Sequence, residues 1–122
     1  MTISTEKKIL IVDDDIDLCT LIGNRFRDRY TVIMVHTVKD AYAALKQDEP
    51  FIIFLDYNLP DGFGTDLLNT VNLNKAIPVV MMTGDDSREV ANKAAAEKVT
   101  ALLLKPLDLV KLETIIEGIL LC

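Results

Sequence analysis

The chain has little cysteine or histidine and no tryptophan. It contains two cysteines, Cys19 and Cys122, and one histidine, His36. Two cysteines cannot form the disulfide framework of a small secreted domain, so we expect a reducing, cytoplasmic environment. The single histidine and the separated cysteines also exclude the clustered ligands of zinc, copper or iron–sulfur sites. We therefore expect ordinary packing or surface roles for His36 and Cys19.

Clusters of basic residues and long apolar runs are also missing. The 13 Lys and Arg residues are outnumbered by 19 Asp and Glu residues, which gives a net charge of −6. Direct binding of nucleic acid by this chain is not expected, because the phosphate backbone favours clustered Lys and Arg. No apolar run reaches the roughly 18 residues that a membrane helix needs, and the polar N-terminus lacks a signal-peptide core. The chain is therefore expected to be soluble, with no membrane partner.

Apolar runs of strand length alternate with segments of helical period along the chain. The 122 residues fit one domain, without a linker, a repeat or a low-complexity tract. The predicted strands are Lys8–Val12, Tyr30–Val35, Phe51–Leu55, Pro78–Met82 and Ala101–Leu104. The predicted helices are Ile16–Arg29, Val38–Gln47, Gly64–Val71, Ser87–Lys98 and Asp108–Leu121. This alternation requires crossover connections, and hence a parallel sheet with helices on both faces.

Local signals mark several helix starts and one turn. Thr37 precedes the second predicted helix and Asp40 follows three residues later, as in a capped helix start. The candidate caps of the fourth helix are Asp85, Asp86 and Ser87. The run LPDG at 59–62 is a turn signal, and Asp61 within it is expected to be solvated rather than a ligand.

Polar side chains stand where the predicted strands end. Asp13 and Asp14 follow the first strand in ILIVDDDID, and Asp56 follows the third in FLDYNLPDG. Thr83 follows the fourth strand in MMTGDD, and Lys105 follows the fifth in LLLKPL. In doubly wound sheets, ligands bind outside the carboxyl ends of the strands where the strand order reverses. If the first and third strands are neighbours, these side chains meet at one edge of the sheet.

Three carboxylates at one place need cations beside them. Two of them about 4 Å apart repel by roughly 4 kcal/mol at an effective dielectric constant near 20. Lys105 supplies one positive charge, and the remaining charge suits Mg²⁺, which prefers oxygen ligands and keeps several waters. A carboxylate cup with a neighbouring lysine and the Thr83 hydroxyl is suited to bind a phosphoryl group. One carboxylate would be the nucleophile and form an aspartyl-phosphate.

In combination, the segments IVDDD, FLDYNLPDG, VMMTG and LLLKP resemble the receiver domains of two-component response regulators. The resemblance covers about residues 7–121. It implies a flavodoxin-like α/β fold: a doubly wound, five-stranded parallel sheet of order 2-1-3-4-5 with five flanking helices. It also implies a single receiver domain over residues 1–122, with a core of about 7–121. We expect either a single-domain regulator or the N-terminal piece of a longer one.

The resemblance assigns roles to individual residues. It implies that Asp56 accepts the phosphoryl group, that Thr83 is the switch hydroxyl and that Lys105 pairs with the phosphoryl group. The implied Mg²⁺ ligands are Asp13, Asp14, Asp56 and the backbone carbonyl of Asn58. A cis peptide bond is implied between Lys105 and Pro106. Asp15 is expected to cap a helix rather than to bind the metal.

Two positions of the implied switch, which consists of Thr83, Gly84 and Leu102, depart from the family pattern. Leu102 stands three residues before the lysine, where receivers usually carry Tyr or Phe. Without that ring, the output is expected to depend more on movement of a loop. Gly84 stands where Ala is common, which makes that loop more pliable.

The resemblance also implies partners. A sensor histidine kinase or a phosphotransfer protein would donate the phosphoryl group. A downstream effector domain or protein would recognise the surface of the fourth helix, fifth strand and fifth helix. The chain would be a monomer or a phosphorylation-dependent dimer. It would not be a conventional enzyme, because it would catalyse only its own phosphorylation and dephosphorylation.

Four other interpretations are weaker. An interaction module that no longer switches is favoured by Leu102, but the acidic trio, the threonine and the lysine oppose it. A haloacid-dehalogenase-type phosphatase needs D-x-D-x-[TV], and the nearest match, Asp15–Cys19, ends in the wrong residue. A flavin module needs a small-residue phosphate loop after the first strand, where three aspartates would repel the phosphate. An EF-hand loop would need Gly and Glu where Leu18 and Asn24 stand.

Overall fold

The computed structural model of the chain describes residues 7–74, 77–97 and 99–121, and Cys122 lies outside them. Five strands form the main sheet: β1 (Lys8–Val12), β2 (Thr31–Val35), β3 (Ile52–Asp56), β4 (Val79–Thr83) and β5 (Ala101–Leu104). The helices between and after them are α1 (Ile16–Phe26), α2 (Val38–Gln47), α3 (Gly64–Asn74), α4 (Arg88–Ala96) and α5 (Leu109–Leu121). The two-residue strands Asn58–Leu59 and Gly62–Phe63 pair as a small antiparallel hairpin.

All neighbouring strands of the main sheet are parallel, and their order is β2-β1-β3-β4-β5. This order confirms the predicted doubly wound, flavodoxin-like fold. The strand order reverses between β1 and β3, and Val12 pairs with both Val35 and Leu55. The carboxyl ends of these strands are therefore level, so the residues that follow them share one edge of the sheet.

The sheet separates two hydrophobic layers. The layer that contains Ile53 and Leu55 of β3 also contains buried side chains of α2, α3 and α4. The opposite layer contains Ile52 and Phe54 with buried side chains of α1 and α5. Each such large side chain contributes roughly 1.5–3 kcal/mol when it is fully removed from water. Burial on both faces explains why β3 reads as an unbroken apolar run.

The predicted helix caps are confirmed at three positions. Asp15, Thr37 and Ser87 each accept a hydrogen bond from the backbone N–H three residues later. Asp15 is thus a helix cap, as expected from the family resemblance. Of the three candidates before the fourth helix, Ser87 is the one that caps it.

Several predicted boundaries were wrong by one to three residues, for identifiable reasons. Helix α1 ends at Phe26 rather than Arg29, because the Arg29 and Tyr30 N–H groups fold back to the Phe26 carbonyl. Asp56 and Thr83 belong to the strands instead of following them, because the ladder continues past both. The Tyr57 N–H donates to the Met82 carbonyl and the Lys105 N–H to the Thr83 carbonyl, each at 2.8 Å. The hairpin at 58–63 was predicted only as a turn. In the described part of the chain, no helix has the length and apolarity to cross a membrane.

Candidate functional site

Three carboxylates meet at the carboxyl edge of the sheet. Asp13 and Asp14 follow β1, and Asp56 is the last residue of β3. One oxygen from each lies within 4.8 Å of the others. Asp13 and Asp56 are buried, whereas Asp14 is exposed to solvent. The structure therefore brings together the acidic residues that the strand ends predicted.

Lys105 lies beside the two buried carboxylates. Its Nζ is 2.8 Å from Asp13 Oδ2 and 3.3 Å from Asp56 Oδ2. Burial alone would lower the pKa of Lys105, but the hydrogen bond and charge of Asp13, and then those of Asp56, raise it overall. The ammonium is therefore charged at neutral pH. The peptide bond from Lys105 to Pro106 is cis.

The electrostatic conflict in the site is strongest at Asp56. Burial raises the pKa of Asp56 to about 6, and the neighbouring charge of Asp13 adds to the rise. Lys105 and the N–H of Asn58, 3.4 Å from Asp56 Oδ1, act in the opposite direction without cancelling the shift. One lysine is thus insufficient to neutralise the cluster, and a further positive charge nearby would favour ionised Asp56.

The donor set fits a hard divalent cation. Its ligand atoms are carboxylate oxygens, which Mg²⁺ and Ca²⁺ prefer. Within the described residues, Asp13 Oδ2 is buried and its one contact is the ion pair with Lys105 Nζ at 2.8 Å. Burial, followed by the charge of Asp13, raises the pKa of the Cys19 thiol to about 12, so this sulfur does not compete as a thiolate.

Two side chains for which only ordinary packing or surface roles were expected contact the backbone carbonyl of Asp13. The Cys19 thiol donates to the Asp13 carbonyl oxygen over 3.3 Å, and His36 Nδ1 lies 2.8 Å from the same oxygen. Asp15 N–H donates to Asp13 Oδ1 at 2.9 Å. Cys19 belongs to α1, Asp15 caps that helix, and His36 follows β2, so these three contacts hold Asp13 from both elements. The His36 contact could not be predicted from the sequence, because His36 is 23 residues from Asp13.

Thr83 and the loop after it are arranged around one hydroxyl. Thr83 is buried, and its Oγ1 accepts a hydrogen bond of 3.0 Å from the Asp85 N–H. The hydroxyl hydrogen remains able to donate to another group. Gly84 is exposed, and a Cβ added there would meet nothing within 4 Å. Leu102 is partly buried and packs on the hydrophobic layer that includes Val90 of α4.

The segment after Asp56 returns very close to that residue. Gly64 N–H donates to the Tyr57 carbonyl at 2.8 Å, and a Cβ on Gly64 would overlap the Asp56 backbone oxygen. Only glycine allows this close approach without movement of the backbone. This requirement was not predicted, because its only signal in the sequence is a glycine at the first position of a predicted helix.

Two further contacts of this segment were also missed. Asp61 is exposed as expected, but both of its oxygens accept backbone N–H groups of α2, at 2.7 Å from Val38 N and 3.0 Å from Lys39 N. These hydrogen bonds lower the pKa of Asp61. On the other side, the rings of Tyr57 and Phe63 are 5.4 Å apart, and Lys93 Nζ of α4 lies 5.7 Å from the Phe63 ring centre. Its hydrogen bond with the Tyr57 phenol raises the pKa of Lys93.

Comparison with known proteins gives a consistent result. The family described as "Response regulator receiver domain" matches residues 9–117. The chain is 32% identical over 111 residues to the transcriptional regulatory protein ZraR of Salmonella typhimurium, which covers 89% of this chain and 25% of ZraR. It is 31% identical over 112 residues to the two-component response regulator ARR2 of Arabidopsis thaliana, covering 88% of this chain and 17% of ARR2. The chain thus spans a quarter or less of the length of these relatives.

Solved structures agree with the sequence relatives. The crystal structure of a two-component response regulator from Clostridium difficile is similar with a TM-score of 0.89 and 26% sequence identity. The similarity covers 94% of this chain and 96% of that one. The family match and the relatives above 30% identity together confirm the resemblance seen in the four sequence segments. The chain therefore belongs to the response regulator receiver domain family of two-component systems.

Proposed function

We propose that the chain is a phospho-accepting switch, organised as a single receiver domain over residues 1–122 with its core at about 7–121. Asp56 accepts a phosphoryl group from the phosphohistidine of a sensor histidine kinase or a phosphotransfer protein. The observation that carries this proposal is the acid cluster of Asp13, Asp14 and Asp56 with Lys105 paired to two of its members. A buried carboxylate beside a lysine ammonium, in a cluster that can bind a cation, is suited to nucleophilic attack on phosphorus.

The covalent step needs only one nucleophile. An oxygen of the Asp56 carboxylate attacks phosphorus and forms a P–O bond while the P–N bond of the phosphohistidine breaks. The imidazole nitrogen keeps the electron pair of the broken bond. In the return to the unphosphorylated state, a water oxygen attacks phosphorus and the bond from phosphorus to the Asp56 oxygen breaks. Asp56 leaves as a carboxylate, and the released inorganic phosphate carries the protons of the water. Apart from these two steps on itself, the domain catalyses no reaction.

Other residues neutralise and orient the phosphoryl group. Lys105 is charged and already lies 3.3 Å from Asp56 Oδ2, where it can pair with a phosphoryl oxygen. Asp13, Asp14, Asp56 and the backbone carbonyl of Asn58 would hold Mg²⁺. When bound, Mg²⁺ supplies positive charge that stabilises the phosphoryl oxygens. Its charge would also offset the burial and repulsion that raise the pKa of Asp56.

The switch would begin at Thr83. If its hydroxyl donates to a phosphoryl oxygen and moves toward Asp56, the hydrogen bond from Asp85 N–H to Thr83 Oγ1 is lost. The segment from Gly84 to the start of α4 then changes position. We propose that this movement, rather than an aromatic side chain at Leu102, alters the surface of α4, β5 and α5. A downstream effector domain or protein reads that surface, either on a monomer or through a phosphorylation-dependent dimer.

The test is phosphorylation in solution with Mg²⁺ and acetyl phosphate, followed by intact mass and amide NMR. The expected result is one added phosphoryl mass in the parent protein and none in Asp56→Asn. We expect amide shifts to spread from Gly84 to Leu104. Shifts confined to the acid cluster would show that the output is uncoupled at Leu102. Absence of both an adduct and a Mg²⁺-dependent shift would refute the phospho-acceptor and favour a constitutive interaction module.

A further inference from the structure

The hairpin that follows Asp56 is attached to a helix on the other side of the site. Asp61 lies between the paired strands of this hairpin and accepts two N–H groups from the first turn of α2, those of Val38 and Lys39. The helix already has its own cap, since Thr37 Oγ1 accepts the Asp40 N–H at 3.0 Å. Helix starts leave four N–H groups without helical partners, and a local cap normally satisfies one. Asp61 therefore adds a long-range contact that α2 does not supply for itself.

The base of the same hairpin lies next to Asp56 of the acid cluster. Asn58 pairs with Phe63, and Leu59 with Gly62. Asp61 is therefore three residues from Asn58 and two from Phe63, the pair at the base of the hairpin. Asp56 Oδ1 accepts the Asn58 N–H, which links the start of the hairpin to the phosphoacceptor. The base is closed by the hydrogen bond from Gly64 to the Tyr57 carbonyl. A displacement of the Asp61 end of the hairpin is therefore transmitted through two ladder pairs to the backbone of Asn58.

We propose that Asp61 is a positioning residue of the phosphoryl site: its carboxylate, bound to the α2 backbone, holds the 58–63 hairpin so that the Asn58 carbonyl remains available to the metal. The inference rests on the proposed function, because the metal and Asn58 enter through it. Asp61 itself is neither a ligand nor a catalytic residue. It acts by limiting the positions that the hairpin can adopt.

A matched pair of variants separates this role from simple helix capping. Asp61→Ala removes the link between hairpin and helix, whereas Thr37→Ala removes a cap of the same helix and leaves the link in place. A third variant, Asp61→Asn, removes the charge but keeps one oxygen that can accept an α2 N–H. The third variant also serves if Asp61→Ala proves too unstable to study.

The experiment measures three properties of each purified variant at fixed ionic strength. Urea unfolding gives stability, a titration with Mg²⁺ alone followed by amide NMR gives the Kd, and amide hydrogen exchange in EDTA reports on the Gly64 N–H. We expect Asp61→Ala and Thr37→Ala to lower the urea midpoint to a similar extent. Only Asp61→Ala should raise the Kd for Mg²⁺, by about tenfold, which is the scale for loss of a residue that orients a ligand. It should also speed exchange at Gly64, and Asp61→Asn should retain part of the affinity.

Each alternative has its own result. Equal Mg²⁺ affinity in Asp61→Ala and Thr37→Ala, with unchanged exchange at Gly64, would show that Asp61 is only a helix cap. Equal losses in Asp61→Ala and Asp61→Asn that disappear at high salt would show a distant charge effect. Both outcomes would overturn the inference while the parent protein still binds Mg²⁺ and becomes phosphorylated. Failure of the parent protein in those two assays would instead refute the proposed function.

Discussion

Replacing the proposed phosphoacceptor with its neutral isostere should stabilise the metal-free protein at neutral pH. Burial, with the charge of Asp13, raises the pKa of Asp56 from its ordinary value of 3.8 to about 6. This raised pKa means that the folded state disfavours the ionised carboxylate more than the unfolded state does. At roughly 1.4 kcal/mol for each tenfold change in proton affinity, the penalty has an upper value of about 3 kcal/mol. Asn fills nearly the same space without the charge, so Asp56→Asn should increase the free energy of unfolding by about 1–3 kcal/mol.

The pH dependence of the free energy of unfolding provides a separate test of the sign of this effect. Below about pH 3, Asp56 is protonated in the folded protein and largely so in the unfolded chain, so the penalty is nearly absent. Between about pH 4 and 6 the unfolded chain ionises first, and stability falls as the pH rises. Above about pH 6 both states are ionised and the full penalty remains. The advantage of Asp56→Asn should therefore be small at pH 4, about a fifth of its full value, and reach its maximum by pH 7.5.

Urea unfolding followed by circular dichroism in EDTA is the assay, at several pH values from 4 to 7.5 for both proteins. Groups other than Asp56 titrate in both, so their contributions largely cancel in the difference. Mg²⁺ should then stabilise the parent protein selectively, by about 2.7 kcal/mol at a concentration one hundred times the Kd. If Asp56→Asn were less stable at pH 7.5, or if its advantage were the same at every pH, the argument from burial and repulsion would be refuted.

Three other substitutions test separate parts of the site. Lys105→Met should destabilise the metal-free protein by about 2–4 kcal/mol at pH 7.5, because buried Asp13 and Asp56 lose their cation. Adding Asp56→Asn to this variant should recover part of the lost stability. If urea unfolding showed no recovery, the charge argument would be contradicted. Gly64→Ala should destabilise by about 1–3 kcal/mol and shift the Asp56 amide resonance, since its Cβ would overlap the Asp56 backbone oxygen. Gly84→Ala should be neutral or stabilise the protein by about 0.4–1 kcal/mol, because its Cβ meets nothing and the unfolded chain loses conformational freedom. Thermal unfolding of both glycine variants, measured side by side, distinguishes a glycine required by lack of space from one that can be replaced.

The fold and the acid cluster were accessible from the sequence because both follow from local patterns combined with one topological rule. An apolar run such as 9–12 marks a strand buried on both faces, and alternation with helical segments requires a parallel sheet. Once the sheet is parallel, residues after different strands share an edge, so Asp13 and Asp56 are brought together although 43 positions separate them in the chain. The caps were predictable for a simpler reason, since Ser87 and Thr37 bond to N–H groups only three residues away.

The supporting contacts were not accessible in this way. Asp61 bonds to Val38, which is 23 residues earlier, and no spacing rule connects a turn with the start of a helix that precedes it. The same is true of His36 and the Asp13 carbonyl. These contacts depend on how far the hairpin and the loops extend beyond the sheet, which is decided by packing in three dimensions. The clustering of the carboxylates at the strand ends could thus be predicted, whereas the contacts that hold them in place required the structure.

The energetics of the site explain why the acid cluster, unlike its supporting contacts, could be recognised in the sequence. Asp13 follows β1 and Asp56 ends β3, and both carboxylates are buried, where ionisation is unfavourable because water is excluded. A fold selected only for stability would place apolar residues at both positions. Lys105 compensates part of the penalty, and the raised pKa of Asp56 shows that a further part remains in the metal-free protein. An unfavourable charge retained on buried residues at the carboxyl edge of the sheet therefore points to a ligand that neutralises it, and that local conflict is what made the acid cluster visible in the sequence.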